Sequence, residues 1–275
     1  MSTEPAAEAP SCCLVLRLAG PLQSWGGSSM FNRRDTGTEP TKSGLVGLLA
    51  AAQGRRRADP IEDLLALVFG VRTDQPGVLL RDYHTVSDYR GRPLPSASVT
   101  GKGVQKPTSP AKYTGVTERF YLQDAVFVVA IGASEPVLTT LGDALRHPAF
   151  PLALGRRACP PTQPFVLTPD PAQREEAIWP GTVREVLQKV SWQASDSHKE
   201  KLSRRRERPR TIDLPITVDD PDGDDVRMDL PRTFDPLNRS FTSRRVSQRW
   251  AHLPPPYDAT GDDTGTHDPF ALLGW

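Results

Sequence analysis

The run Ala125-Val-Phe-Val-Val-Ala-Ile131 is apolar at every position, and this restricts the fold more than any other stretch. A strand so uniformly apolar hides both faces, so its sheet needs a layer of structure on each side. Upstream, Phe120 and Leu122 extend a period-two pattern back to Thr117, and the whole of 117–131 is expected as one strand. One shift near Gln123-Asp124 marks a bulge or tight turn. A helix is predicted from Glu135-Pro136 to about Arg146, with Val137, Leu138, Leu141 and Leu145 on one face and His147-Pro148 ending it.

The first strand is predicted over residues 13–19, where Leu14, Leu16 and Leu18 alternate with Val15, Arg17 and Ala19. Gly20-Pro21 stops it, because proline has no N–H for the ladder. Trp25 then stands between Ser24 and Gly26-Gly27, with Asn32, Arg33 and Arg34 close behind. A flat ring among glycines and arginines suits a nucleotide, the ring stacking a base and an arginine meeting phosphate. The alternative is that Trp25 caps the core and the arginines are solvated.

Residues 41–54 read as a helix, capped by Thr41 or Ser43, ended by Gly54, and burying Leu45, Leu48, Leu49 and Ala52. Its start carries Lys42 and unbonded N–H groups, which makes a seat for phosphate, plain capping being the alternative. The spacing is not that of a nucleotide-binding P-loop. Arg55-Arg56-Arg57 follow, a run that is usually solvated or completes a helix C-terminus electrostatically. A second helix is expected from Asp59-Pro60 to Phe69, ended by Gly70. Strand signals resume at Val71 and at Val78-Leu79-Leu80.

Residues 86–116 are poor in large apolar groups and hold five basic residues, Arg90, Arg92, Lys102, Lys106 and Lys112, against the single acid Asp88. A long connection of this kind is functional or disordered; its charge suits an arm along a nucleic-acid backbone, or a solvated loop. The order strand–helix–helix–strand–arm–strand–helix gives an α+β, ferredoxin-like or RNA-recognition-motif (RRM-like) domain with an antiparallel sheet and a long β-hairpin thumb at about 86–116. Gly155, followed by Arg156 and Arg157, turns the chain and projects two guanidinium groups suited to phosphate.

The remaining properties set boundaries. The 275 residues fit one large domain or a domain with a smaller lobe, and the net charge of +1 points to no partner, so any nucleic-acid surface is a local patch. Cys12, Cys13 and Cys159 form neither a disulfide framework nor a zinc spacing, and the inference is a reducing cytoplasm. No signal peptide or membrane span is evident, and no cofactor or metal is called for; His147 and Cys159 lack partner spacing. Residues 1–11 are expected to be disordered, 12–165 to form the RRM-like domain, 166–253 a loop-rich β-containing region, and 254–275 a tail. Within 199–210, seven basic residues stand against Glu200 and Glu207, either a basic patch or a connector touching nucleic acid nonspecifically. The acidic run from Asp219 to Asp229 is expected as a solvated loop. Residues 211–218 suggest an edge strand broken by Pro215. Arg239, Arg244, Arg245 and Arg249 lie on a late strand or helix, facing a partner.

Five blocks occur in order: Leu16-Arg-Leu-Ala-Gly-Pro-Leu-Gln-Ser-Trp-Gly26, Pro40-Thr-Lys-Ser-Gly-Leu-Val-Gly-Leu-Leu-Ala50, Arg81-Asp-Tyr-His-Thr-Val86, Arg119-Phe-Tyr-Leu-Gln-Asp-Ala125 and Leu154-Gly-Arg-Arg-Ala-Cys-Pro160. Together they resemble the Cas-five family in the form found in type I-E CRISPR Cascade complexes, the CasD subunits. The match spans about 13–165, with weaker similarity over 239–249. The resemblance implies a ferredoxin-like fold with a thumb, and binding of the 5′ handle of a CRISPR RNA (crRNA) in antiviral defence. It implies the backbone subunit CasC and the large subunit CasA as neighbours, target DNA held by the whole complex, and no membrane. By it, Trp25-Gly26, the Thr41-Lys42-Ser43 helix start and Gly155-Arg156-Arg157 line the handle pocket, and the arm from Arg90 to Lys112 is the thumb. Arg33, Arg34, His84 and Arg119 complete the RNA-binding set.

A related Cas-five subunit, of type I-C systems, cuts precursor crRNA without metal, so a ribonuclease is the alternative. Such cleavage needs a base beside the ribose 2′-OH and cations for the phosphate. Tyr83, His84, Lys102 and Lys106 are the nearest constellation. The type I-E resemblance implies a non-catalytic subunit, a different subunit, CasE, doing the cutting there.

Overall fold

The computed structural model describes residues 10–26, 32–88, 101–102, 113–173, 176–205, 207–235 and 238–257. The expectations for 1–9 and for 258–275 lie outside them, as do Arg90, Arg92, Lys106 and Lys112.

The chain begins with strand β1 (Cys12–Ala19) and the short strands β2 (Leu22–Gln23) and β3 (Arg33–Arg34), followed by helices α1 (Lys42–Ala52) and α2 (Glu62–Leu65). Strands β4 (Val68–Gln75), β5 (Val78–Asp88), β6 (Tyr113–Gln123) and β7 (Val126–Gly132) come next, then helix α3 (Glu135–Arg146). Two short strands, β8 (Val166–Leu167) and β9 (Ile178–Pro180), precede helices α4 (Val183–Lys189) and α5 (Asp196–Ser203). Strands β10 (Ile212–Asp219), β11 (Asp225–Thr233) and β12 (Ser240–Leu253) complete the order. The result is a mixed α and β protein. Its large sheet runs β11-β12-β10-β4-β7-β1-β8, with β9 also on β1, and every pairing is antiparallel.

All seven residues of β7 are buried, as its composition requires. Leu14, Leu16, Leu18, Phe127, Val129 and Ile131 face one layer, shared with Leu45 and Leu49 of α1 and Leu138 and Leu141 of α3. Cys13, Val15, Val128 and Ala130 face the other, closed by Val183, Val186 and Leu187 of α4, by Trp192 and by Ile212, Leu214 and Ile216 of β10. The two faces alternate along each strand, as the period of two dictates.

Several expectations are corrected. Residues 117–131 are not one strand; of the bulge and the tight turn expected near Gln123-Asp124, the turn is realised. Asp124 takes a left-handed φ of 55°, and the chain turns there from β6 into β7, which lies in the large sheet, whereas β6 pairs with β2, β3 and β5 in a second, smaller one. The helix expected over 59–69 is only the single turn α2, because Val68, Phe69 and Gly70 pair with Gly132, Ile131 and Ala130 of β7. Gly70 is not a helix end. It lies inside β4, where a Cβ would stand 2.4 Å from Val183 Cγ1, so it lets α4 pack onto the sheet. Residues 212–219 are not an edge strand either: β10 sits between β12 and β4. Its ladder with β4 covers only Ile216–Val218, so Pro215 is paired with β12 alone.

One polar element crosses the second layer. Arg72 and Asp74 are wholly buried. Arg72 donates Nε to Asp74 Oδ1 (2.6 Å) and Nη2 to Asp74 Oδ2 (2.9 Å). Its remaining N–H groups reach the carbonyls of Leu187, Val190 (2.7 Å) and Ser191 (3.1 Å), the C-terminal end of α4. All five guanidinium donors are used, and a cation sits where the helix leaves its carbonyls unpaired. Asp74 also accepts from Gln193 N (2.6 Å), and its carbonyl accepts from Trp192 Nε1 (2.8 Å). Removing one partner strands a buried charge. Asp74→Asn is therefore expected to cost about 3–5 kcal/mol in urea unfolding; a loss below about 1 kcal/mol would show the pair to be expendable.

Candidate functional site

The loop after β2 is held from inside. Gln23 is buried and donates Nε2 to the carbonyls of Leu18 (3.1 Å) and Ala125 (2.7 Å), while its Oε1 accepts Trp25 Nε1 at 3.1 Å. Trp25 is 1% exposed and belongs to the core beneath α1. Gly44 makes room for it, since a Cβ there would meet ring carbon Cε3 at 2.8 Å. The ring thus cannot stack a base as it stands, and the core-capping alternative is the one realised.

A second loop docks on the first. Ser24 N donates to Leu154 O (3.1 Å), and Gly155 follows at φ +87°. A Cβ on Gly155 would lie 1.8 Å from Ser24 O, so only glycine lets the backbones approach. Arg156 then spans the joint. Its Nη1 donates to Phe120 O (3.2 Å) and its Nη2 to Arg34 O (2.7 Å) and Asp35 O (3.2 Å), with the guanidinium 4.9 Å from the Tyr121 ring centroid. Arg156 ties β6, the end of β3 and the 154–157 loop together.

These loops, α1 and the β11–β12 connection enclose a groove of about 600 Å³. Ser24, Trp25, Gly26, Thr41, Ser43, Gly155, Arg156 and Arg157 line it, joined by Arg34, Arg55, Arg56, Arg57 and Arg239. Seven arginines stand there against one carboxylate, Asp35. Arg55 is held by Asp63, whose carboxyl is pulled below its usual range chiefly by that hydrogen bond. Arg239 has its pKa lowered by desolvation first, then by Arg57 and Arg34. Cations that repel one another across a cavity of this size are relieved by an anion, and planar guanidinium forks suit phosphate.

The structure brings together many of the predicted residues, but not all in the expected role. Thr41 caps α1, its Oγ1 accepting from Gly44 N at 3.2 Å and standing 3.2 Å from Ser43 Oγ; Ser43 is buried. The expected phosphate seat at Lys42 is taken. Lys42 N donates to Asp229 Oδ2 (2.8 Å), and Lys42 Nζ donates to Asp219 Oδ2 (2.8 Å) and Leu67 O (3.1 Å). The same carboxylates receive Arg244, whose Nε donates to Asp229 Oδ1 at 2.7 Å and whose Nη1 reaches Asp219. Burial opposes the Arg244 charge, but Asp229 and Asp219 outweigh it and raise the pKa. Arg244 does not face a partner, and Asp219 and Asp229 are not in a solvated loop. Arg33 is exposed, pairing with Asp35 at 3.0 Å and lying 5.0 Å from the Phe120 ring. His84 is exposed on β5, opposite Thr117; Arg119, on β6, is opposite Asp82. Lys102 is exposed. Arg55, Arg56, Arg57 and Arg239 are the groove arginines that the sequence did not assign to RNA; for the first three the signal was a basic run closing the helix whose start lies at the same groove, and Arg239 was expected instead to face a partner.

An antiparallel scaffold that gathers arginines about an open groove defines a protein suited to a polyanion. The particular family is shown by comparison. A family model described as CRISPR-associated protein (Cas_Cas5) matches residues 13–247, and the chain belongs to that family. The CRISPR system Cascade subunit CasD of Escherichia coli (strain K12) is 39% identical over 173 residues, covering 56% of this chain and 69% of that protein. A solved chain from a CRISPR RNA-guided surveillance complex superposes with a TM-score of 0.66 at 36% identity, over 88% of this chain and 91% of that one. A crystal structure of a Cas protein gives 0.59 at 33% identity, over 88% and 95%.

The Gly155 contact is directly testable. Gly155→Ala is expected to destabilise the protein by at least about 1–3 kcal/mol, since it adds a clash to an unfavourable φ. Thermal melting measures this; an unchanged midpoint would mean that the two loops are not in contact.

Proposed function

We propose that this chain is a non-catalytic crRNA-binding subunit of a type I-E Cascade complex, and that the arginine groove holds the 5′ handle of the crRNA. The observation that carries the reading is the excess of guanidinium groups around one groove. Within it, Arg57, Arg157 and Arg239 are positioned to meet phosphates, and Arg156 acts by holding the loops. The core path supports a ferredoxin-like reading. Strands β8, β1, β7 and β4 lie side by side and antiparallel, with α1 between β1 and β4 and α3 after β7. The β5–β6 hairpin, inserted between β4 and β7, corresponds to the base of the thumb. Its exposed Leu79, Tyr83 and Val116 lie on one face and Val78 and Val86 on the other; the first face is apolar surface for a neighbour, for which the backbone subunit CasC is the reading, with the large subunit CasA as a second neighbour.

A ribonuclease finds little support in the same hairpin. Tyr83 and His84 are consecutive on β5, so their side chains leave opposite faces and do not converge. Incubating the protein with repeat RNA in chelator is expected to leave the RNA intact. Handle-length product that disappears in His84→Ala would establish the enzyme instead.

Arg57→Gln/Arg239→Gln is expected to weaken binding of handle RNA about tenfold and to reduce the salt slope by about two, with melting unchanged. Arg156→Ala is expected to lower both affinity and melting temperature, and to weaken binding more than Arg56→Ala. Handle affinity unaffected by the double substitution would remove the groove from the function.

A further inference from the structure

A second, larger cavity of about 1090 Å³ opens on the other face of the large sheet. Arg17 reaches it because it alternates in β1 with Leu16 and Leu18, which pack toward α1 and α3. Its Nη1 donates to Gln193 Oε1 (3.3 Å) and its Nη2 to Gln163 Oε1 (2.9 Å). Its Nε is buried and has no hydrogen-bond partner. Among the described residues no carboxylate forms an ion pair with it, and desolvation lowers its pKa. A half-buried guanidinium held only by neutral amides, with one donor idle, is an incomplete site.

The rest of the cavity has the same sign. Lys189, Lys199 and Lys201 line it against Asp124 and Asp196. After α5, Arg204 pairs with Glu200, and Arg205, Arg208 and Arg210 follow, all exposed. Cations that begin in a cavity and continue past the end of α5 match a ligand whose negative charge repeats, as in a phosphodiester chain. The cavity also exceeds what one phosphate would fill. We propose that this trough binds a second nucleic-acid strand through its backbone, separately from the strand in the arginine groove.

The test uses the full chain and a labelled oligodeoxythymidylate of roughly 16 nucleotides, which carries no handle sequence. Lys189→Gln/Lys201→Gln alters two exposed side chains and is expected to leave melting unchanged. Anisotropy titrations should show its affinity for the oligonucleotide lowered about tenfold and the salt slope reduced by about two. Arg17→Gln is expected to act in the same direction, while handle RNA binding is unchanged in the double variant. Because the probe is not the handle, failure of the groove reading would leave this result intact. Oligonucleotide affinity and salt slope unchanged in the double variant would overturn the proposal. So would displacement by polyglutamate as effective as by unlabelled oligonucleotide, which would assign the trough to an acidic protein segment.

Discussion

Burial of β7 on both faces is the constraint from which the architecture follows. A strand with no polar residue from Val126 to Gly132 cannot border water, so the sheet needs two apolar layers. The layer of α1 and α3 is assembled from the first half of the chain, and that of α4 and Trp192 from the second, over a face to which β10 of the same sheet adds Ile212, Leu214 and Ile216. The two halves therefore share one sheet. The arginine groove lies beside α1 and is closed by the β11–β12 connection, and the trough around Arg17 opens on the face that α4 and Trp192 cover.

The positive charges divide by what answers them. Arg72 is answered within the protein by Asp74 and the end of α4. Lys42 and Arg244 are answered by Asp219 and Asp229, which fasten the start of α1 to β10 and β11. These groups hold the scaffold. In the groove Arg55 is held by Asp63 and Arg156 by backbone carbonyls, whereas Arg239 feels the like charges of Arg57 and Arg34. Such crowding makes sense if the missing negative charge arrives with a ligand. Lys42, Arg72, Arg244 and Arg156 thus hold the scaffold, and Arg57, Arg157 and Arg239 are left to the groove.

Local pattern made part of this legible. The all-apolar β7, the apolar face of α3 and the Thr41 cap are written in neighbouring residues, and their structures agree with the reading except that Val137, expected on that face of α3, is exposed. Gly155 followed by two arginines also marked the groove. The misreadings share a cause, which is contact across long separations. Lys42 looked available for phosphate because its acceptor, Asp219, lies 177 positions away. Trp25 looked like a stacking platform because nothing local shows α1 lying over it. The helix expected to reach Phe69 stops early because β7 draws residues 68–70 into the sheet. Arg55, Arg56, Arg57 and Arg239 became groove residues only when the β11–β12 connection returned to α1.

Photo-crosslinking in the assembled complex tests the central claim most directly. With 4-thiouridine placed through the 5′ handle and adducts mapped by mass spectrometry, the account predicts attachment to peptides carrying Gly26, Arg57, Arg157 or Arg239. Adducts confined to surfaces away from the groove, such as the exposed side of α3, would contradict it.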